Sequence, residues 1–336
     1  MKLIETNNLF QQIRNIKVAV IGDVMLDTYW WGSAERISPE APVPVVTLNR
    51  TEHRIGGAAN VALNAIALAE KVYLLSVIGN DQEGSLLTTE LSKKGINTGG
   101  VQISKNRKTT CKTRVISRNQ QMIRLDSETT DDLSKEDENT FIASCRKILH
   151  EAKPDVLIFE DYNKGVLTER VINEILSVCD SLDIITSVDP KQKNFFAYKG
   201  VTLFKPNLKE VREGLRYLNQ EVNQDTLSEM HNLLYQQLKH QVSLITLSEK
   251  GVFYQQQGGG SCLLPTYRRN IADVSGAGDT VIAVASLIYA ATKNPELMAT
   301  IANLAGGLVC EEVGTVPVNR ERLLEECVRH NVISKL

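Results

Sequence analysis

The sequence predicts an α/β fold: a central, mostly parallel sheet with helices on both faces, carrying a small β-sheet lid. Three observations predict it. Short apolar runs of strand length alternate with helical segments along most of the chain. Two β-rich insertions, at about 32–51 and 100–125, break that alternation. A glycine-rich turn near the C-terminus leads directly into the most apolar helix. The whole of 1–336 reads as one domain, with no internal repeat and no linker.

Lys17-Val18-Ala19-Val20-Ile21-Gly22-Asp23 is apolar and ends in a turn, as a buried first strand does. Pro39, Pro42 and Pro44 then punctuate an extended segment. Gly56 and Gly57 open a helix of small residues from Ala58 to Ala69, and 72–79 is a second buried strand. A helix follows from about Glu83 to Lys94. The stretch 109–125 is β-rich and basic, which suits exposed strands rather than a buried parallel sheet. An unbroken strand there puts Lys112, Arg114, Ile116 and Arg118 on one face and Cys111, Thr113 and Val115 on the other, with a turn at Asn119-Gln120 and Arg124 beyond it. Strands at 156–159, 184–188, 202–204 and 242–247 resume the alternation. Val281 to Ala291 is too short to span a bilayer and is expected as a buried helix.

The totals exclude several classes of function. Of 336 residues, 42% are hydrophobic and 23% charged, an ordinary globular composition. The net charge of −2 offers no global basic field, so neither nucleic acid nor an anionic membrane is an expected partner. Six cysteines without a CxxC pair fit neither a zinc site nor a disulfide framework and read as reduced cytosolic thiols. The start, Met1 to Asn8, lacks the apolar stretch of a signal peptide, so a cytoplasmic location is expected. The first strand leads into Gly22-Asp23-Val24-Met25 without a Gly-x-Gly-x-x-Gly turn, which argues against a dinucleotide-binding dehydrogenase.

The run Asp273-Val274-Ser275-Gly276-Ala277-Gly278-Asp279 carries the most chemistry. Glycines followed by a helix expose backbone N–H groups at a helix N-terminus, which is an anion site. Gly276 and Gly278, on either side of Ala277, let the backbone approach a phosphate closely. Asp279 repels a phosphate, so it makes sense as a base that takes a proton from an attacking hydroxyl. The plain alternative is a glycine turn with Asp279 as the helix N-cap.

This run resembles the C-terminal signature of the ribokinase-like (PfkB-type) carbohydrate kinases. Gly56-Gly57-Ala58-Ala59-Asn60 resembles their other signature, a Gly-Gly pair shortly before an Asn. The two stand in the expected order at opposite ends of the chain, and the resemblance covers nearly all of it. It implies a kinase using ATP and Mg²⁺. It implies that Asp279 is the base, that the Gly276–Gly278 amides hold the transferred phosphate, and that Asp27 grips sugar hydroxyls. Gly56, Gly57 and Asn60 then form the second wall of the sugar site. Asn207 and Glu210 match the family's Asn-x-x-Glu motif, which helps organise Mg²⁺, in part through water, and the nucleotide phosphates; a capping box is the plain reading of the same residues. Thr246, Ser248 and Gly251 resemble the nucleotide-side loop, and the segment 302–309, with Asn303, is expected beside the adenine. Asp273 and Ser275 fall where some members bind a monovalent cation such as potassium.

A closer resemblance concerns the acceptor. Gly22 to Asp27, Glu35 to Val45, Ser117 to Asp126 and Asp161 to Thr168 resemble the D-glycero-β-D-manno-heptose-7-phosphate kinases of lipopolysaccharide precursor synthesis. The resemblance implies transfer from ATP to O1. A phosphorylated sugar needs cations at its far end, and Lys112, Arg114, Arg118 and Arg124 are the candidates, with Arg36 in the other insertion; a solvated strand face is their plain reading. A kinase for another sugar and a non-catalytic sugar-binding regulator are the competing readings. Some enzymes that resemble this chain carry an adenylyltransferase domain, whose His-x-Gly-His run is not found here, so the kinase either stands alone or is one part of a longer protein. Exposed lid strands invite edge pairing, so a homodimer through the lids is expected.

Overall fold

The computed structural model describes residues 6–334 apart from 119, 220 and 268; Asn119, expected at a turn, lies outside the described residues. In chain order the elements begin with α1 (Thr6–Asn15), β1 (Lys17–Gly22), β2 (Val24–Ile37), β3 (Pro44–Gly57) and α2 (Ala58–Ile66). Then come β4 (Lys71–Gly79), α3 (Gln82–Lys93), β5 (Asn97–Ser104), β6 (Cys111–Ser117), β7 (Gln120–Ser127) and α4 (Lys135–Ala152). β8 (Val156–Glu160), α5 (Glu169–Ser181), β9 (Ile185–Asp189), β10 (Leu203–Phe204), α6 (Leu208–Leu215) and α7 (Gln224–Leu238) follow. The chain closes with β11 (Val242–Thr246), β12 (Val252–Gln256), β13 (Ser261–Leu264), α8 (Ala277–Thr292), α9 (Pro295–Val309) and α10 (Arg320–Arg329).

Nine strands form the main sheet in the order β13-β12-β11-β10-β9-β8-β1-β4-β5. It is parallel from β11 to β5, and β12 and β13 pair antiparallel at one edge. Alternate residues of each central strand enter two different cores. Val18 and Val20 of β1 pack with α2, α8 and α9, whereas Ala19 and Ile21 pack with α4, α5 and α7. Burial on both faces is why these strands read as unbroken apolar runs. From β1 the chain moves outward to β4 and β5, then returns to β8 on the other side of β1. The carboxyl ends of β1 and β8 therefore flank the switch in strand order, where open α/β sheets take their ligands.

The small sheet has the order β3-β2-β6-β7. Its extent differs from the sequence expectation at both insertions. β2 begins at Val24 and runs 14 residues, so the lid grows directly out of the first core strand and not from residue 32. Residues 97–104 belong to β5, the edge of the main sheet, so the second lid segment begins at Cys111. Asn97-Thr98-Gly99-Gly100-Val101-Gln102 is half exposed, as an edge strand is, and so lacks the apolar run that marks the central strands. Among the described residues no helix is long and apolar enough to cross a membrane.

Candidate active site

Asp279 lies in the first turn of α8, at the carboxyl end of the sheet. The helix is not capped by it: Gly276 is the N-cap, in the left-handed region at φ 77°, and no side chain caps this end. The N-cap alternative for Asp279 is thereby overturned. A side chain at Gly276 meets two obstacles, the left-handed backbone and Asn60, whose Nδ2 lies 2.8 Å from where a Cβ would stand. The carboxylate of Asp279 is held instead by two donors. Asn60 Nδ2 donates to Oδ2 at 2.7 Å, and the Tyr162 hydroxyl donates to Oδ1 at 2.8 Å. Asn60 is steadied in turn by Asn64, whose Nδ2 donates to the Asn60 carbonyl at 2.9 Å, while Thr280 donates to Asn64 Oδ1 at 3.0 Å. This ties α2 to α8 across the site.

Burial drives the Asp279 carboxyl up to about 6; the bonds from Asn60 and Tyr162 pull it down, the charge of Asp189 adds to the rise, and Lys205 opposes it. Burial and the neighbouring Asp279 charge push the Tyr162 phenol well above its ordinary range, so it stays a donor. A carboxylate titrating near 6, with its oxygens aimed and a neutral donor on each, suits a general base at neutral pH.

Beneath this turn lies a buried ion pair that the sequence did not reveal. Lys205 Nζ meets Asp189 Oδ2 at 2.7 Å, with both side chains almost wholly enclosed. Gly278 sits over the pair; a Cβ there would stand 3.6 Å from Asp189 Oδ2 and 3.7 Å from Lys205 Nζ. Two residues beyond Lys205, Asn207 and Glu210 form a complete capping box at the start of α6. The Glu210 carboxylate also takes Lys191 Nζ at 2.8 Å. Burial lowers the Lys191 ammonium, but Asp189 and Glu210 outweigh it and raise it, so it remains charged. Asn207, Thr246 and Ser248 line a cavity of about 680 Å³ together with Arg212 and Lys250. Gly251 ends the short turn behind it. Asn303, on α9, donates to the Pro265 carbonyl at 2.9 Å and is not among the lining residues.

Asp273 and Ser275 form a lock. The Asp273 carboxylate accepts from the amides of Ser275 and Gly314, each at 2.9 Å, and these bonds outweigh burial to hold it below the usual carboxylate range. Among the described residues no cluster of three or more His, Cys, Asp or Glu side chains is arranged to hold a metal ion. The donor set therefore fits Mg²⁺ only as an ion held largely by ligand phosphates and water, which is its usual habit.

The lid root meets the same site. Asp27 on β2 is buried and forms an ion pair with Arg114 of β6. Gly56 makes room for it, since a Cβ there would stand 2.4 Å from Asp27 Oδ2. Tyr29 has two guanidinium groups over its ring, Arg54 at 5.1 Å and Arg114 at 5.2 Å from the ring centre. Register puts Asp27 opposite Arg54 and Lys112, and Arg114 opposite Arg124, so all five side chains share the inner lid face. The single face expected for Lys112, Arg114 and Ile116 holds, but Arg118 leaves it: β6 stops at Ser117 and Arg118 turns out at φ 49°. It is about 20 Å along the lid from Asp27, six residues beyond Lys112 at strand rise. Lys112 pairs with Asp126 at 3.2 Å and Glu128 at 3.6 Å, and Arg124 with Asp126 at 2.8 Å. Arg54 and Tyr29 were missed by the sequence reading. Their signal was there, because Arg54 stands two residues before Gly56 and Tyr29 two after Asp27, the spacing of one strand face.

Comparison with known proteins gives the family. Residues 15–322 match the profile of the pfkB family carbohydrate kinases. The chain is 40% identical over 325 residues to the bifunctional protein HldE of Geotalea uraniireducens, which covers 96% of this chain and 65% of that protein. It is 37% identical over 309 residues to the Helicobacter pylori protein of the same name, covering 91% of this chain and 65% of that one. The chain thus spans about two thirds of the length of these relatives. Among solved structures, Escherichia coli phosphofructokinase-2 in complex with potassium superposes with a TM-score of 0.75 at 14% identity, covering 94% of this chain and 99% of the other. Arabidopsis thaliana ribokinase, complexed with ribose and ATP, gives 0.71 at 16% identity, covering 93% and 99%. Profile, relatives and ribokinase-like fold agree: the chain belongs to the pfkB family of carbohydrate kinases.

Proposed function

We propose that this sugar kinase transfers the γ-phosphoryl group of ATP to O1 of D-glycero-β-D-manno-heptose 7-phosphate, giving the 1,7-bisphosphate for lipopolysaccharide core synthesis. The carrying observation is Asp279, buried at an uncapped helix start and aimed by Asn60 and Tyr162. The name of the relatives, and the presence of Lys112, Arg114 and Arg124 on the inner lid face, each paired there with a carboxylate, support the heptose phosphate in particular. Parallel assays with heptose 7-phosphate, fructose 6-phosphate and ribose, each with ATP and Mg²⁺, test the choice of acceptor; a clear preference for either of the latter two overturns it.

In this mechanism Asp27 and Arg114 hold sugar hydroxyls at the lid root, and Gly56, Gly57 and Asn60 form the opposite wall. Asp279 takes the proton of O1–H while O1 bonds to the γ-phosphorus and the bridging P–O bond to ADP breaks. The first amides of α8, at Gly276–Gly278, face the phosphoryl group in flight. The nucleotide lies in the cavity beside Asn207, Thr246 and Ser248, with Asn303 behind its base. Glu210 would hold Mg²⁺ through water, and the ion bound there would neutralise phosphate charge. Asp273 and Ser275 are where potassium would be held. Among the described residues the lid edges β3 and β7 have no further strand beside them, and Ile123 and Leu125 of β7 are exposed, so two copies are proposed to pair lids.

Two outcomes check the assignments. Tyr162→Phe removes a bond that lowers the Asp279 pKa, so the acid limb of kcat/KM moves up from about 6. At pH near 7 the rate then falls by up to about tenfold, and recovers as pH rises; a limb that stays in place removes Tyr162 from this role. Lys112→Ala raises KM for the phosphorylated sugar by about tenfold, as a partly solvated charge contact does, with KM for ATP unmoved. Arg118→Ala, out at the lid tip, moves it less. If Lys112, Arg114 and Arg124 can each be removed without loss of preference for the phosphorylated sugar, the lid does not read that phosphate.

A further inference from the structure

Glu160, the last residue of β8, has no part in the mechanism above, yet it is completely buried and neither carboxylate oxygen has a hydrogen-bond partner. Its register partner across the parallel ladder is Asp189 of β9. Partnered residues point to the same face, and here it is the face of Ile158 and Leu203, which packs beneath α2, α8 and α9. Asp189 gives one oxygen, Oδ2, to Lys205; its other oxygen, Oδ1, is also without a hydrogen bond, with Lys191 Nζ 3.6 Å away. The orphaned carboxyl group of Glu160 and the free oxygen of Asp189 thus stand on adjacent strands below Gly278.

Among the described residues Glu160 has no cation of its own. The groups facing it are Asp189 beside it, Asp279 from α8, Lys191 and Lys205 beyond β9 and β10, and the phenols of Tyr162 and Tyr198. Lys205 is engaged by Asp189 and Lys191 by Glu210. The two hydroxyls donate elsewhere, Tyr162 to Asp279 and Tyr198 to Asp161. Asp23, on the β1 side, is satisfied by the amides of Tyr162, Lys164 and Val166. A lone ionised carboxylate at this depth is not sustained against its loss of hydration and takes up a proton instead. A carboxylic acid must then place one O–H, and Asp189 Oδ1 is an acceptor without a hydrogen bond on the adjacent strand.

We propose that Glu160 is a carboxylic acid in the working enzyme and donates its O–H to Asp189, positioning the Asp189–Lys205 pair under Gly278 while keeping a further negative charge away from Asp279. Burial, with the charges of Asp189 and Asp279 behind it, pushes Glu160 well above its ordinary value in the same direction. The consequence for catalysis, which rests on Asp279 being the base, concerns how usable that base is. Asp279 already titrates near 6, with Asp189 contributing to the rise. An ionised Glu160 would raise it further and hold the base protonated at neutral pH.

The test has a spectroscopic arm that needs no activity. In the full chain at neutral pH, the infrared difference spectrum of wild type minus Glu160→Gln is expected to show the C=O stretch of a protonated carboxylic acid, lost in the variant. Wild-type protein with ¹³C-labelled glutamate carboxyls gives the same answer without a variant: one resonance stays at the protonated position through neutral pH. In the kinetic arm, the acid limb of kcat/KM in Glu160→Gln stays within about 0.3 pH unit of wild type, because one neutral group replaces another. The proposal is overturned if the infrared band and the protonated resonance are absent, or if the limb drops by about 1 unit or more, as removal of a charge requires. A band present in a protein that shows no acid limb at all would leave Glu160 neutral and unseat Asp279 as the base.

Discussion

Replacing Asp279 by asparagine lowers kcat by about 10²–10⁴-fold, the range for losing a general base, and leaves ATP affinity nearly unchanged. Asparagine keeps the size of the side chain, and its oxygen can still accept from Asn60 or Tyr162. What disappears is the capacity to take a proton. The pH profile separates this from a folding defect. In the wild type, activity falls as pH drops through about 6, because the carboxyl that must be ionised becomes protonated. The residual activity of the asparagine variant has no such limb. Turnover within a few-fold of wild type would remove Asp279 from the chemistry.

Asp27→Ala should raise KM for the sugar by at least about 30-fold, equivalent to about 2 kcal/mol, with a ceiling near 5 kcal/mol for a fully desolvated partner. Asp27 is enclosed and paired with Arg114, which also stacks on Tyr29. The substitution removes an acceptor for sugar hydroxyls and leaves a half-buried guanidinium without its carboxylate. Calorimetry with each ligand separately should show sugar binding lost and ATP binding kept. The reverse result would exchange the two halves of the site.

The parallel sheet was legible because its strands are buried on both faces and therefore read as continuous apolar runs, such as Val18 to Ile21 and Val156 to Phe159. The lid was legible as a departure from that pattern, though its limits were not. β2 shows no break where it leaves the core at Val24, since Val24, Met25 and Leu26 are as apolar as the strand before them. β5 was mistaken for lid because an edge strand is polar on its open side. At the site, the glycine run and the Gly-Gly-x-x-Asn pair announced themselves by resemblance, and the structure brings Asn60 to Asp279 across 219 residues.

Glu160, Asp189 and Lys205 were not legible. Each ends a strand or follows one, where a charged residue ordinarily begins a loop. Only the register of β8, β9 and β10 shows that the three share one buried face. Tyr162 stood inside a quoted motif, but nothing in its spacing says that its hydroxyl reaches Asp279. Arg118 failed for a different reason: alternation assigns faces only while the strand lasts, and β6 ends one residue earlier.

One measurement bears most directly on the central claim. Wild type and Asp279→Asn are incubated with ATP, Mg²⁺ and D-glycero-β-D-manno-heptose 7-phosphate, and the products are followed by ³¹P NMR. The account predicts that wild type converts ATP to ADP with a new phosphate resonance coupled to the anomeric proton, and that the variant forms this product about 10²–10⁴-fold more slowly. A phosphate on any other position, or product formed equally fast by the variant, would contradict it.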